Sequence, residues 1–231
     1  MKRYGYVPNR FAVIPTHNRP EQLRVAVNSI ADQVDEILII DNASDPAVDV
    51  HSLDANGNLT VHYDPQQPPN LSRLWNNGLR WVEHEVEELG LTQWDMAILN
   101  DDAVVPAGWF DAVGVTMRDQ GAAAGCSCDR RAPGTMFHFG KDVAPSQDSR
   151  LTGWAFMLQG EVKLRFDERF QWWCGDDDLS MQVRKFYGGL IKIGGFPVQN
   201  TGANTSTQGE LLAQSAVDMQ RFVDKWGVRP W

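Results

Sequence analysis

Short apolar runs that stop abruptly at polar residues recur through the first half of the chain. Phe11-Ala12-Val13-Ile14 stops at Pro15-Thr16-His17-Asn18-Arg19-Pro20. Ile37-Leu38-Ile39-Ile40 stops at Asp41-Asn42-Ala43-Ser44-Asp45-Pro46, and Met96-Ala97-Ile98-Leu99 stops at Asn100-Asp101-Asp102. Runs this short, apolar at every position, predict strands covered on both faces. Residues 59–63 predict another. Between the runs the period changes: Leu23, Val27 and Ile30 share one helical face behind Pro20, a residue suited to a first turn, and predict a helix over 20–31. Residues 71–89 and 108–120 predict two more helices, with Glu83, Glu85, Glu87 and Glu88 as a solvated face. Alternation of this kind predicts an α/β fold, a mostly parallel, doubly wound sheet with helices on both faces. In such sheets ligands bind beyond the carboxyl ends of the strands, where the polar stops lie.

The second half reads differently. Residues 121–150, rich in Gly, Ala, Pro, Ser and Asp, predict loops and short strands, and residues 151–158 form an apolar run with a Gly153-Trp154 kink near its start. Trp172-Trp173-Cys174-Gly175-Asp176-Asp177-Asp178 then leads into a helix to about residue 187. Without repeats or low-complexity linkers, residues 1–231 read as a single domain with a nucleotide-binding half over about 1–120 and an acceptor half over about 121–231.

Composition narrows the function classes. A formal charge of −9 gives no general attraction to nucleic acid or anionic lipid, although Arg130, Arg131 and Lys141 offer a local basic strip. Cys126 and Cys128 are too close in sequence for good disulfide geometry, and no second cysteine pair completes a zinc site. Reduced thiols, no signal-peptide core after Met1-Lys2-Arg3-Tyr4 and no run of about 18 apolar residues predict a soluble, cytoplasmic protein. Nine tryptophans are many for this length, and some are expected to line a cleft where a flat ring stacks on a ligand. No G-x-G-x-x-G follows the first strand and no P-loop is present, so neither dinucleotide binding nor P-loop NTPase chemistry is supported.

Two acidic clusters carry candidate chemistry. Oxygen donors at Asn100, Asp101 and Asp102, on a strand's carboxyl end, suit a hard divalent cation and through it a phosphate; a turn with a helix cap uses the same residues. Three consecutive carboxylates at 176–178 repel one another unless helix amides, cations or raised pKa values relieve them. An acidic helix N-terminus has the same pattern.

Six segments in order resemble family 2-like glycosyltransferases of the GT-A fold over roughly residues 11–205. They are Val13-Ile14-Pro15-Thr16-His17-Asn18-Arg19; Ile39-Ile40-Asp41-Asn42-Ala43-Ser44; Asn70-Leu71-Ser72-Arg73 with Asn76-Asn77-Gly78; Leu99-Asn100-Asp101-Asp102 through Pro106-Ala107-Gly108-Trp109; Gly153-Trp154; and Phe166-Asp167-Glu168-Arg169-Phe170 running into Asp176-Asp177-Asp178. The resemblance implies a nucleotide-diphosphate sugar, by family frequency a UDP-sugar, as co-substrate. The loop Pro15, Thr16, Asn18, Arg19 would hold base and phosphates. Asp41, with Asn42, would read base or ribose, and Arg73 would meet a phosphate, against the plainer readings of a turn and an ion pair. Asn100-Asp101-Asp102 stands at the family's D-x-D motif, so Asp102 would ligate Mn2+ or Mg2+, with Asn100 or Asp101 near ribose or metal. Asp176, with Asp177 as the other register, would deprotonate an acceptor hydroxyl for inverting transfer. Gly153, Trp154, Trp172, Trp173 and Asp178 would contact the acceptor.

Two positions depart from the pattern. Gly175 occupies a Glu slot, and Asn200 stands where many relatives have a metal- or phosphate-binding His. His17, His51, His62 and His84 read as structural, and His138 is left open. The acceptor is expected to be a glycan hydroxyl; a hydroxylated DNA base, a protein side chain, or a nucleotide-sugar binder without catalysis are the alternatives. Three retained acids at 176–178 argue against a pure binder. A nucleotidyltransferase would want a Gly-rich basic loop after the first strand, unlike residues 15–20.

Overall fold

The computed structural model describes residues 9–53, 56–128, 131–144, 146–200 and 209–230. In chain order the elements are β1 (Asn9–Thr16), α1 (Pro20–Ile30), β2 (Glu36–Asp41), β3 (Leu59–Tyr63), α2 (Leu71–Glu88), β4 (Trp94–Leu99), β5 (Ala103–Val104), α3 (Trp109–Asp119), β6 (Ala124–Cys128), β7 (Met136–Phe139), β8 (Ala155–Gln159), α4 (Gly175–Phe186), β9 (Leu190–Gly194), β10 (Gln199–Asn200) and α5 (Gly209–Trp226). The helices expected over 20–31, 71–89 and 108–120 are α1, α2 and α3. Arg130 of the basic strip, and residues 1–4, lie outside the described residues.

Eight strands form one sheet in the order β3-β2-β1-β4-β8-β6-β9-β7. Among the described residues, four of its seven pairings are parallel. The sheet crosses the expected boundary between halves, because β8 enters antiparallel between β4 and β6. Leu99 lies opposite Ala155, so the acidic end of β4 meets the start of β8.

The all-apolar strands are explained by their two cores. Phe11 and Val13 of β1 face a cluster with α2 and α4 residues, including Leu79, Val82, Leu179 and Val183. Ala12 and Ile14 face the other side with Leu23 and Val27 of α1 and Phe110 and Val113 of α3. Every residue of β4 is buried. Each large aliphatic or aromatic side chain so covered contributes about 1.5–3 kcal/mol, which makes the central strands a rigid base for the loops at their ends.

Candidate active site

Parallel register puts the polar ends of β1, β2 and β3 level, with Thr16 opposite Asp41 and Asp41 opposite Tyr63. The loops there are sewn together. Asn18, in the left-handed region at φ 55°, accepts from the Asp45 amide at 2.7 Å, and its own amide donates to Ser44 Oγ at 2.9 Å. His17 Nδ1 lies 2.7 Å from the Asn42 carbonyl. Asn42 donates through Nδ2 to the carbonyls of Asp64 and Gln66. Pro15 is buried while His17 and Asn18 are exposed, so the loop turns outward immediately beyond the sheet.

The acidic end of β4 joins this loop through two side chains. Thr16 Oγ1 donates to Asp101 Oδ2 at 2.8 Å, and Arg19 Nη1 lies 3.1 Å from Asp101 Oδ1 and 3.0 Å from Asp102 Oδ2. Both carboxylates are largely buried. Burial pushes the Asp101 carboxyl above its usual range, while Thr16 and Arg19 pull it back. The Asn100 amide donates to the Trp154 carbonyl at 2.9 Å, tying this tip to the Gly153-Trp154 turn.

That turn receives the second acidic cluster. A Cβ on Gly153 would lie 2.7 Å from Asp176 Oδ2, so the absent side chain makes room for this carboxylate. Leu151 donates its amide to Ser180 Oγ, which donates to the Asp176 carbonyl, fixing α4 against the same turn. At Gly175 a Cβ would lie 2.7 Å from Ser72 Oγ and 3.1 Å from the Trp75 ring, so a side chain in that slot would require these neighbours to shift. Burial drives the Asp176 carboxyl upward, against Arg150 and the first amides of α4. Asp177 is pushed up to about 8, by burial first and by the neighbouring Asp176 second. Its Oδ1 faces Arg150 Nη1 at 3.4 Å.

Trp154 and Trp172 are half-buried and Trp173 is 37% exposed beside α4, an arrangement that leaves indole surface toward solvent. Their loop is held from behind by α5. Asp218, fully buried, accepts from the amides of Trp172 and Trp173 at 2.9 and 3.0 Å. Cys174 caps α4 at φ 63°, a conformation that costs a non-glycine residue on the order of 1 kcal/mol or more.

Three expected site residues have their charged groups engaged within the fold. Asp178 is fully buried and its carboxylate is taken by Lys225 Nζ and Trp226 Nε1, both at 2.7 Å, and by Gln182 Nε2, so it anchors α5 instead of an acceptor. Asp41 uses both oxygens on its own loop, accepting from Ser44 N and Val48 N. Arg73 is paired with Asp64 at 2.5 Å. The turn-forming and ion-pair readings therefore describe Asp41 and Arg73 in this structure. Asp64, Arg150, Asp218 and Lys225 were missed. Asp64 had a signal, since like Asp41 it directly follows a strand, whereas the other three act across long sequence separations. His138 Nε2 lies 2.7 Å from the Gly188 carbonyl and braces a turn. Arg131 pairs with Asp148 and stacks over Phe137, so this part of the basic strip is engaged within the fold.

Asn100, Asp101 and Asp102 are hard oxygen donors of the kind that would suit a divalent cation. Among the described residues no group of three His, Cys, Asp or Glu would hold a metal unaided. Asn200, in the position expected to be His, pairs with Ala103, the residue after Asp102, and so belongs to this same corner.

No curated protein matches the chain. Among solved structures it resembles S. aureus TarS 1-349, with a TM-score of 0.58, 13% identity and coverage of 80% of this chain and 58% of that one. It also resembles S. aureus TarS 1-349 in complex with UDP-GlcNAc, with a TM-score of 0.60, 13% identity and coverage of 91% and 66%. The chain thus spans about three-fifths of those two proteins, and the likeness is one of fold. No helix among the described residues is long and apolar enough to cross a membrane. The model of glycosyl transferase family 2 matches residues 11–149, which hold the β1 loop, Arg73 and the acidic end of β4, and the chain belongs to that family.

Proposed function

We propose that this glycosyltransferase moves a sugar from a uridine-diphosphate donor to an acceptor hydroxyl on a glycan, with inversion at the anomeric carbon. The observation that carries the reading is the Asp176 carboxylate lying against Gly153, on the turn whose next residue, Trp154, bonds Asn100 at the acidic tip. A base thus faces the same corner as the groups suited to a diphosphate. Burial, by raising the Asp176 pKa, makes its carboxylate a better proton acceptor than a solvated one.

In this reading the Pro15–Arg19 loop receives the diphosphate, and Asp102, helped by Asn100, holds Mn2+ or Mg2+. The cation supplies Lewis-acid stabilisation of the leaving nucleotide. Asp101, tied to Thr16, keeps the acidic tip in register with the loop. Trp154, Trp172 and Trp173 offer indole faces for the C–H face of an acceptor sugar. Asp176 takes the proton of the attacking hydroxyl, which approaches opposite the departing diphosphate and inverts the centre. The UDP-GlcNAc complex of the similar TarS structure supports a uridine-diphosphate donor.

The test is a thermal-shift panel of UDP-, GDP-, CDP- and TDP-sugars with and without manganese, run on wild type and Asp176→Asn. Stabilisation by a UDP-sugar that needs the metal, retained in Asp176→Asn while sugar transfer is lost, is the expected result. Equal transfer by Asp176→Asn would remove the base assignment, and stabilisation without metal would remove the role given to Asp102.

A further inference from the structure

The two carboxylates at the tip of β4 already hold a cation of the protein's own. Arg19 Nη1 bridges them at 3.1 Å from Asp101 and 3.0 Å from Asp102, with its side chain only 20% exposed. The bridge relieves the repulsion between two adjacent buried acids. It also stands against a divalent ion, which would need an Asp102 oxygen at about 2.0–2.6 Å and would then lie beside a guanidinium charge. Arg19 is also the residue that opens α1, and that helix start has no side-chain cap. Pro20 opens that helix without an amide and Glu21 adds a carboxylate to its first turn, so the group there suited to phosphate is the guanidinium, which binds phosphate as a bidentate fork. A diphosphate at the start of α1 would therefore compete with Asp101 and Asp102 for the same side chain.

We propose that Arg19 makes cation binding conditional on the nucleotide: the donor's diphosphate draws Arg19 off the Asp101–Asp102 pair, and only then does Asp102 take the divalent ion. This rests on the metal-assisted transfer proposed above. Asp101 keeps its Thr16 hydrogen bond through the exchange, so the tip retains its position while its charge partner changes. The coupling works in both directions, as thermodynamic linkage requires, and metal in turn tightens nucleotide binding.

Manganese binding to the full chain, read from the electron paramagnetic resonance signal of free Mn2+, tests this with UDP as the nucleotide. Wild type should bind Mn2+ weakly alone and on the order of tenfold more tightly with UDP. Arg19→Gln should bind Mn2+ without UDP on the order of tenfold more tightly than wild type and lose most of the gain from UDP. Arg19→Lys, which keeps the charge without the fork, should stay weak in the absence of UDP and guards against a folding defect in the Gln variant. Arg19→Gln binding Mn2+ no more tightly than wild type, with its UDP dependence intact, would overturn the proposal. Loss of Mn2+ binding by every protein at saturating UDP, with UDP still raising the melting temperature, would overturn the metal assignment itself and the proposal with it.

Discussion

At the scale of single residues, the site depends on an atom that is absent. Gly153 leaves the space in which the Asp176 carboxylate lies, and a methyl group there would stand 2.7 Å from Oδ2. Gly153→Ala should push the carboxylate aside without disturbing the sheet beneath it. A displacement of about 1 Å in a reacting group costs on the order of a hundredfold in rate. We therefore expect sugar transfer to fall by roughly that factor while folding stability stays within about 1 kcal/mol and the UDP-dependent thermal shift persists. Retention of full transfer would mean that the Asp176 carboxylate is not confined by Gly153 during the reaction. Gly175 shows why one departure from the family pattern was visible in sequence and its reason was not. The missing Glu can be read from the letters, but the Ser72 hydroxyl that a side chain there would crowd comes from a helix about a hundred positions earlier.

Among elements, α5 holds the Trp172–Trp173 loop and the start of α4 together, and it does so with charged side chains. Asp218 caps the Trp172 and Trp173 amides, Lys225 bridges Asp167 and Asp178, and Phe222 packs on Phe170. Lys225→Met would leave the fully buried Asp178 without its cation while Trp226 and Gln182 still donate to it. Breaking a buried pair from one side costs about 3–5 kcal/mol, and the remaining donors place this variant at the lower end. The solvent-exposed Arg24–Glu21 pair gives the contrast, and Arg24→Ala should cost about 0.5 kcal/mol or less. Urea unfolding of the two variants measures both, and equal losses would show that α5 does not depend on the buried pair.

The same helix marks how far the sequence could be read. Strands β1, β2 and β4 and helices α1 to α3 were legible because each is a local pattern, an apolar run or a 3.6-residue stripe, and the polar stops identified the sheet edge that carries the site. Strand order was not legible: nothing local distinguishes β8, which inserts between β4 and β6, from a strand added at the edge. Asp178 was read as an acceptor contact because three acids in a row look alike until α5 claims one of them.

For the whole molecule, buried acids set stability and catalysis against each other. Asp176 and Asp101 are raised by burial, Asp177 to about 8, and Asp95, at the start of β4 beside Arg118, to about 6. A carboxyl whose pKa is higher folded than unfolded binds more protons in the native state. Its contribution is complete below its unfolded value and is lost as pH rises through the folded one. Asp167, held low by Arg169 and Lys225, works in the opposite sense, but its contribution is already complete well below neutrality. Between pH 6 and 8 Asp177 therefore dominates, and stability should fall by up to about 1.4 kcal/mol per pH unit for each proton that the native state keeps and the unfolded state has released. The transfer reaction needs a proton loss of its own, since a protonated Asp176 cannot accept from a hydroxyl. Rate should thus climb as pH rises through the raised Asp176 value, the same direction in which the melting temperature declines. Asp177→Asn separates the two effects. The amide still offers an oxygen to Arg150 but removes the charge that Asp176 opposes, so the variant should melt higher than wild type at pH 8 and show a flatter dependence on pH. Asp176 owes its own shift to burial and not to Asp177, so the variant should leave the acid limb of the rate profile in place. Melting curves and transfer rates over the same pH series measure both, and melting profiles that run parallel in wild type and Asp177→Asn would show that Asp177 does not govern this balance.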